Sequence, residues 1–462
     1  ATMQSTIDSS GLYAALRTLP KGSLLHSHDV SSQDMHFYIN ASYMKGCLYN
    51  TDTSSADYGA LSFQPAPMYV PIELVRESWP TGVASFDEEL YQNFTLLPYM
   101  DIPDTTGDFL WEKFQPIFSR VGMMYRYEPV FRMYYQRMFD QLYNDGVMRW
   151  EIRTSLDGLY DDTRSYSQPE TMQIIIDTLR EWQMEDYDSR GGFSFGIIMQ
   201  AMRDGTVEEV VDALENAYYL RELFPDHIVG FDLVGHEDPG ETLLHWAPVL
   251  IDAEEAIMLR HNYSHRLPFF FHAGESNRLA VQENLVDAVF LNSSRIGHGF
   301  GIQEFPALWP LLKQKGVLVE SCPISNQVLG LVVDQRNHPI GQMLHHALTD
   351  FLRPDRRLPP AVQELLDYDN NIWHVFDNMV MSPSLAVSIS NDDPGFWGID
   401  AFVSYDWYIA VLAWDLSLSA IKQMAIDSIV HSAIPAKSRI DMLQRWSTEW
   451  DKWVSSLREL EV

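Results

Sequence analysis

Eight short apolar runs recur along the chain, and apolar residues at helical spacing separate most of them, as in Val207–Leu223. Strand-like runs that alternate with helices favour a parallel sheet, so eight of them predict an α/β fold, a (β/α)8 TIM-type barrel. The predicted strands are residues 22–28, 147–154, 193–202, 228–234, 267–272, 295–299, 317–322 and 385–390.

Two gaps between these runs are too long for simple barrel loops. We expect residues 1–462 to form a single barrel domain with an insertion after strand one, residues 29–145, and another before strand eight, residues 339–384. After Tyr405, helical patterns predict extra terminal helices that close the barrel from outside. The second insertion contains the only local cationic cluster of the sequence: Arg353, Arg356 and Arg357.

The charge balance limits the partners of the chain. Asp and Glu number 64 against 32 Lys and Arg, which gives a net charge of −32. Such a surface repels phosphate backbones, so we expect no nucleic-acid partner and no anionic membrane partner. No apolar run is long enough to span a bilayer. Two cysteines, Cys47 and Cys322, are too few for a disulfide framework or a thiolate zinc site, and they form either one bridge or two separate thiols.

The first predicted strand ends in His26-Ser27-His28. Side chains alternate along a strand, so an H-x-H pattern there directs both imidazoles to the same face, where they can share one metal ion. The alternative interpretation is a pair of surface or capping histidines.

Three further strand ends carry polar groups of the same kind. The phrase H-A-G-E (His272 to Glu275) ends the fifth run, G-H-G around His298 ends the sixth, and N-D-D-P, with Asp392 and Asp393, ends the eighth. A barrel builds its active site at the carboxyl ends of its strands, so we expect these side chains to meet. His26, His28, His272 and an Asp are an N/O ligand set that suits zinc with a water at an open position.

These motifs resemble those of the adenosine deaminases of the amidohydrolase superfamily. Longer phrases are similar to the secreted adenosine deaminase-related growth factor family: L-P-K-G at residues 19–22, G-F-D-L-V-G-H-E-D at 230–238, C-P-I-S-N-Q-V-L at 322–329 and R-N-H-P at 336–339. The resemblance runs from residue 19 to about residue 450 and implies a barrel enzyme that uses one zinc ion per chain to deaminate adenosine, and deoxyadenosine, to inosine and ammonia.

The resemblance also implies site residues. It assigns the zinc ligands to His26, His28, His272 and Asp392. It implies that Glu275 protonates the purine ring at N1, that His298 is base or electrostatic partner of the attacking water, and that Asp393 orients this water. It implies substrate contacts at Asp29, Glu151, Gly235 and His236.

Several alternatives stay open at this level. Glu151 could instead pair with Arg153 at the barrel rim, His236 could be an ordinary loop histidine, and the Arg353 cluster could meet a 5′-phosphate or be solvated surface. His338, which precedes a proline, is interpreted as structural. At the level of function, the alternatives are an adenosine-phosphate (AMP) deaminase of the same fold and an extracellular growth factor or binding protein.

The resemblance and the sequons favour a secreted, extracellular glycoprotein. Four N-x-[ST] sequons occur, at Asn40, Asn93, Asn262 and Asn292, and the first ten residues have the character of a processed end. The implied partner is a small-molecule purine nucleoside or nucleotide, and a homodimer is the assembly common in the family.

Overall fold

The computed structural model describes residues 2–100, 102, 106–346, 360–369, 372, 375 and 385–459. Its strands are β1 Gly22–Leu24, β2 Leu48–Asn50, β3 Leu61–Ser62, β4 Tyr69–Pro71, β5 Val147–Thr154, β6 Ser194–Met202, β7 Ile228–Val234, β8 His272–Ala273, β9 Arg295–His298, β10 Leu318–Ser321 and β11 Ala386–Ile389. Its helices are α1 Thr2–Asp8, α2 Gly11–Arg17, α3 Met35–Ala41, α4 Ile72–Ser78, α5 Val83–Asn93, α6 Leu97–Met100, α7 Gly107–Tyr125, α8 Glu128–Asn144, α9 Gln168–Met184, α10 Tyr187–Arg190, α11 Val207–Leu223, α12 Leu243–His261, α13 Leu279–Gln282, α14 Asn284–Phe290, α15 Trp309–Lys315, α16 Pro323–Val328, α17 Pro339–His346, α18 Pro360–Tyr368, α19 Ser404–Ala413, α20 Leu418–Val430 and α21 Ala436–Glu459.

Eight parallel strands form the barrel, and each coincides with a run predicted from the sequence. They lie in two four-stranded halves, ordered β1-β5-β6-β7 and β8-β9-β10-β11. A parallel bridge between Phe231 and Phe269 joins one pair of edges, and a bridge between Ser27 and Asp392 joins the other. The prediction of a (β/α)8 barrel is therefore confirmed.

The fifth barrel strand is shorter than its apolar run. Only His272 and Ala273 pair regularly with β9, whereas the prediction covered residues 267–272. Pro268 has no N–H to donate, and its carbonyl accepts from Phe231 N at 2.9 Å, so the run contacts β7 through single bonds before it joins the sheet.

Local sequence signals set the ends of the barrel helices. Ser167 with Glu170, and Thr206 with Glu209, form capping boxes that satisfy the free N–H groups at the starts of α9 and α11. Asn262, at φ 57°, ends α12 in the left-handed conformation that Asn tolerates.

Between β1 and β5 the chain forms helices α3 to α8 and a small antiparallel sheet of order β3-β2-β4. Helix α7 contacts the loop after β11, where the Phe114 ring stacks on Trp397 with centroids 5.4 Å apart. Phe118 meets Phe396 edge to face at 4.8 Å. This segment therefore covers the carboxyl ends of the barrel strands.

Helices α20 and α21 close the opposite end of the barrel. Helix α20 packs on β1 and β11, and Ser23 N donates to Ser428 Oγ at 2.9 Å. Gly22 has φ 80°, and a Cβ there would lie 2.5 Å from Ser428 Oγ, so only glycine fits this close approach. No helix among the described residues has the length and apolar character that a bilayer crossing requires.

Charged side chains fill part of the barrel interior in a continuous ladder. Its ion pairs join Arg149 to Glu151, Glu151 to Arg295, Arg295 to Glu320, Glu320 to Arg153 and Arg153 to Asp232. All six side chains are at most 1% exposed. Burial alone would raise the pKa of Glu320, but the charges of Arg153 and Arg295 outweigh it and hold that pKa well below its usual range.

The two cysteines are separate buried thiols, so the alternative of a Cys47–Cys322 bridge is wrong. Cys47 lies just before β2, in the small antiparallel sheet, whereas Cys322 directly follows barrel strand β10. Burial raises the pKa of the Cys47 thiol to about 12, so it stays protonated at neutral pH.

Candidate active site

A cavity of about 470 Å³ opens at the carboxyl ends of the barrel strands, beneath α7. Its floor contains His28, His272, His298, Asp392, Asp393 and Glu275. These side chains come from four different strand ends, and the parallel order of the barrel brings them to one place. The expectation that the strand-end motifs meet is thus fulfilled in the geometry.

Asp392 links the four predicted metal ligands: with His26, His272 and His298 it forms one group whose potential ligand atoms all lie within 4.8 Å of one another, and with His28 and Asp393 it forms a second. Asp392 Oδ1 lies 3.3 Å from His26 Nε2 and 3.3 Å from His28 Nε2. The rings of His26 and His272 have centroids 4.5 Å apart. Two ligands of a tetrahedral zinc ion, each about 2.0–2.1 Å from the metal, are about 3.3 Å apart, so these separations match a shared ion.

The hydrogen bonds behind these histidines also fit a metal centre. His26 Nδ1 lies 2.8 Å from Glu320 Oε2, and His272 Nδ1 lies 2.6 Å from Asp232 Oδ2. A carboxylate that accepts from Nδ1–H leaves the Nε2 lone pair free for a metal. His26 Nε2 and Asp392 Oδ1 are buried and have no hydrogen-bond partner in the described part of the chain. The residues present therefore fit zinc.

Asp392 is held as a carboxylate. Burial alone would raise its pKa, but the imidazoles of His26 and His28, each 3.3 Å from Oδ1, outweigh burial and place that pKa well below its usual range. Asp392 has φ 59° and His298 has φ 58°, both in the left-handed region that only glycine enters freely. Such backbone strain is found where a fold holds functional side chains in fixed positions.

Glu275 is the buried acid of the site. Its pKa is raised well above its usual range by burial first and then by the negative charges of Asp392, Glu237 and Asp393. The Glu237 carboxylate holds the backbone of this turn in place. Glu275 N donates to Glu237 Oε1 at 2.8 Å, and Gly274 N donates to Glu237 Oε2 at 3.1 Å. Burial and these neighbouring charges therefore favour the protonated form of this carboxyl.

His298 and Asp393 flank the ligand cluster. Burial lowers the pKa of His298 well below its usual range, so its imidazole is neutral, and its Nε2 lies 3.9 Å from Asp392 Oδ2. Burial, followed by the charge of Asp392, raises the pKa of Asp393, which accepts a hydrogen bond from the Ser31 hydroxyl. A bound divalent cation would act on that carboxyl in the opposite direction.

The predicted substrate contacts divide into two groups. Asp29 and Gly235 line the cavity, and burial raises the pKa of Asp29. Gly235 has φ 103°, which leaves its backbone close to the cavity without side-chain bulk. His236 lines an adjoining pocket of about 580 Å³ and stacks on Trp111 with centroids 4.2 Å apart.

The interpretation of Glu151 as a ribose contact is corrected by the geometry. Its Oε1 accepts from Arg149 Nε at 2.7 Å and from Ala433 N at 2.8 Å, while its Oε2 pairs with Arg295. Glu151 belongs to the buried ladder and is absent from the cavity wall. The alternative of a pair with Arg153 is also wrong, because Arg153 pairs with Asp232 and Glu320.

Sequence reasoning missed residues that come from the segment between β1 and β5. Trp111, Phe114 and Arg126 line the cavity from α7 and the residue after it. No local pattern marks them, because the docking of that segment on the barrel depends on distant contacts. Glu237, by contrast, lay within the quoted G-F-D-L-V-G-H-E-D phrase and could have been singled out there.

The Arg353, Arg356 and Arg357 cluster lies outside the described residues. His338, which was interpreted from the sequence as structural, is fully buried beneath the site.

The sequence and the fold of this chain are similar to those of known proteins. The family model described as adenosine deaminase matches residues 95–370. Human adenosine deaminase 2 is 30% identical over 464 residues, which cover 98% of this chain and 81% of that protein. Among solved structures, an Arabidopsis N6-mAMP deaminase has a TM-score of 0.60 at 16% identity and covers 94% of this chain and 99% of its own.

A second solved structure, an amidohydrolase from Burkholderia ambifaria with bound zinc, has a TM-score of 0.59 at 14% identity over 97% of this chain and 96% of its own. Both solved structures share the barrel fold of this chain. The sequence match is more specific: the chain belongs to the adenosine deaminase family.

Proposed function

We propose that the chain catalyses the zinc-dependent hydrolytic deamination of adenosine, and of deoxyadenosine, to inosine and ammonia. One observation carries this proposal: the buried carboxyl of Glu275, whose pKa is raised well above its usual range, lies in the same cavity as His28, His272, His298 and Asp392. Family membership and the name of the human relative support the choice of substrate.

One zinc ion per chain would be held by His26, His28, His272 and Asp392. Bound there, zinc would supply Lewis acidity and lower the pKa of a water to about 7. The three histidines are neutral ligands and Asp392 supplies one negative charge, which leaves the site with the cationic character that activates a water.

The acid–base groups divide the remaining work. Glu275 gives its proton to the purine ring nitrogen N1 as the water oxygen bonds to C6, so the ring accepts the electron pair without building up negative charge. Asp393 accepts a hydrogen bond from the attacking water and directs its lone pair at C6. The proton that the water loses passes through Asp393 to the amino group, which leaves as ammonia. The second proton of the water returns to Glu275 as the oxygen becomes the carbonyl of inosine.

The test is a metal-exchange assay followed at the ultraviolet shift from adenine to hypoxanthine. Chelator-stripped protein should lose deamination of adenosine and of deoxyadenosine, and one equivalent of zinc per chain should restore both. Magnesium at the same concentration is the control, because an N/O set of three histidines does not suit it. Full restoration only at two zinc ions per chain, or none at all, contradicts the proposal.

A second candidate substrate is an adenosine 5′-phosphate. Arg126 is the one guanidinium among the described residues that line the cavity, and it makes no ion pair within that part of the chain. Its positive charge acts to lower the pKa of Asp29 and of Asp157, and it does so by electrostatic attraction alone. A 5′-phosphate would supply the anionic partner that this guanidinium lacks.

Arg126→Gln separates the two substrates. If the guanidinium binds a 5′-phosphate, the variant should lower kcat/KM for AMP by roughly tenfold to a hundredfold, the size of one lost charge-assisted contact, and leave adenosine unchanged. The measurement is the ratio of the two kcat/KM values in wild type and variant. An unchanged ratio rules out phosphate recognition by Arg126 while leaving adenosine deamination intact.

We further propose that the enzyme is secreted and extracellular, as a glycoprotein, and that it forms a homodimer. Its sequons and its similarity to adenosine deaminase 2 support secretion. Among the alternatives, a growth factor without catalysis is disfavoured, since a scaffold needs neither a zinc-type ligand set nor a protonated Glu275.

A further inference from the structure

The role of His298 depends on which of its two ring nitrogens holds the proton. A neutral imidazole donates from one nitrogen and accepts at the other. If Nε2 is bare, His298 can take a proton from the attacking water; if Nε2 carries the hydrogen, it can only donate a hydrogen bond to that water. The surroundings of Nδ1 decide between these states.

A chain of hydrogen bonds behind His298 begins at a backbone amide. Ile340 N donates to His338 Nδ1 at 3.2 Å. His338 is fully buried, and burial lowers its pKa to about 3, so the ring is neutral and holds one proton. Because a backbone N–H can only donate, Nδ1 is the acceptor and the proton of His338 lies on Nε2.

His338 in turn fixes the orientation of Asn326. His338 Nε2 lies 3.0 Å from Asn326 Oδ1, so its N–H donates to the amide oxygen. The other end of the same amide, Asn326 Nδ2, then faces His298 Nδ1 at 3.1 Å. The side chain of Asn326 is fully buried, and its backbone carbonyl accepts from Leu331 N at 2.9 Å, which anchors the residue in place.

An amide nitrogen can only donate, so His298 Nδ1 must be the acceptor and the proton of this neutral ring lies on Nε2. Nε2 of His298 makes no hydrogen bond in the described part of the chain and faces the ligand cluster.

We propose that Asn326 and His338 are positioning residues that hold His298 with its proton on Nε2, so that His298 donates a hydrogen bond to the attacking water and does not accept its proton. The inference rests on the proposed deamination. The proton that leaves the water then passes to the Asp393 carboxylate as the oxygen–C6 bond forms and Glu275 protonates N1. His338, interpreted from the sequence as structural, thereby acts on catalysis through two intermediaries.

The first test replaces Asn326 by a group of the same shape that can only accept. Asn326→Asp offers a carboxylate to both histidines, which moves the proton of His298 to Nδ1 and leaves Nε2 bare. Zinc content should stay at one per chain and KM within a few-fold of wild type, while kcat falls by about 100-fold or more, the scale of a lost oxyanion donor. Near-normal kcat in a folded, zinc-loaded variant overturns the proposal.

Two matched substitutions at His338 provide an independent test in case the Asn326→Asp variant does not fold. His338→Gln keeps an N–H donor for Asn326 Oδ1 and should retain kcat within a few-fold. His338→Leu removes that donor, lets the Asn326 amide turn over, and should lower kcat at least tenfold with KM and zinc content unchanged. Equal kcat values in the two variants would contradict the inference that His338 orients Asn326 and, through it, His298.

Nitrogen NMR of the zinc-loaded enzyme reads the tautomer directly. With 15N-histidine labelling, the His298 signals are those that disappear in His298→Gln. We expect Nε2 to resonate as a protonated nitrogen and Nδ1 as a bare one in wild type, with the two reversed in Asn326→Asp. A bare Nε2 in wild type overturns the proposal. Wild-type turnover of adenosine is scored separately, so failure of the proposed function is distinguished from failure of this inference.

Discussion

Glu275 shows how a single side chain takes its chemistry from its surroundings. The same residue on the surface would be ionised at neutral pH, whereas here burial and three neighbouring carboxylates raise its pKa. The backbone on both sides of Gly274 is held by Glu237, so the acid cannot turn away from the cavity. Position and protonation state are thus set together.

Replacing Glu275 by Gln should therefore separate chemistry from binding. The amide keeps the shape and a hydrogen-bond donor but has no proton to deliver, so kcat should fall by about 10²–10⁴-fold while KM changes little. Zinc content should remain at one per chain. Steady-state kinetics and metal analysis check this, with the exposed Glu283→Gln as control. Loss of zinc in the variant would show that Glu275 is itself a metal ligand.

The sequence predicted the candidate site well where strand ends define it, and poorly elsewhere. His26, His28, His272 and Asp392 follow apolar strands, and the barrel gives such positions a known location. Glu151 was misread because a carboxylate within a buried strand has the same sequence pattern whether it faces a ligand or an arginine. Only the observed pairing with Arg149 and Arg295 distinguishes the two.

At the scale of elements, all eight barrel strands were predictable and the cover over the cavity was not. Strands made mostly of apolar residues, such as β7, can be recognised as buried from their sequence. Helix α7 is amphipathic like many surface helices, and its sequence does not say that Trp111 and Phe114 face a cavity. Its placement depends on contacts with residues nearly 300 positions away, such as Phe396 and Trp397.

Helix α20 carries a buried acid that should make folding stability depend on pH. Burial raises the pKa of Asp427 to about 7, and Gln423 Nε2 donates to its Oδ1 at 2.7 Å. The unfolded value is about 3.9. Because the folded pKa is the higher one, the stabilising contribution is fully present below pH ~4 and is lost as pH rises through 7.

Asp427→Asn removes this dependence, since an amide stays neutral. The thermal midpoint of the variant, relative to wild type, should rise by several degrees between pH 5 and pH 8. Differential scanning calorimetry at the two pH values measures it, and the exposed Asp441→Asn provides the control for a changed net charge. The same difference between variant and wild type at both pH values would show that Asp427 is ionised throughout.

At the scale of the whole molecule, the fold divides the four sequons by the exposure of their asparagine side chains. Asn40, Asn262 and Asn292 are exposed, whereas the side-chain nitrogen of Asn93, Nδ2, is buried. A glycan on Asn93 would have to replace packed side chains. Secretion from a eukaryotic host should therefore yield glycans at the three exposed sites alone.

Glycopeptide mass spectrometry of the secreted protein tests this sorting. Asn→Gln at each exposed sequon should lower the mass by one glycan, and Asn93→Gln should not change it. A glycan at Asn93 would show that glycosylation precedes folding of that segment, and protein without any glycan would contradict the proposed route of secretion.

The charge ladder inside the barrel has a consequence for how the molecule folds. Glu151, Arg153 and Asp232 belong to the β1-β5-β6-β7 half, whereas Arg295, Glu320 and His272 belong to the other half. Either half alone would leave these charges without the partners that lie in the other half, and burying a charge unpaired costs several kcal/mol. A half-barrel is therefore an unstable folding intermediate, and the two halves must assemble in one cooperative step. The residues that hold the metal ligands in place are the same ones that make the fold all-or-none.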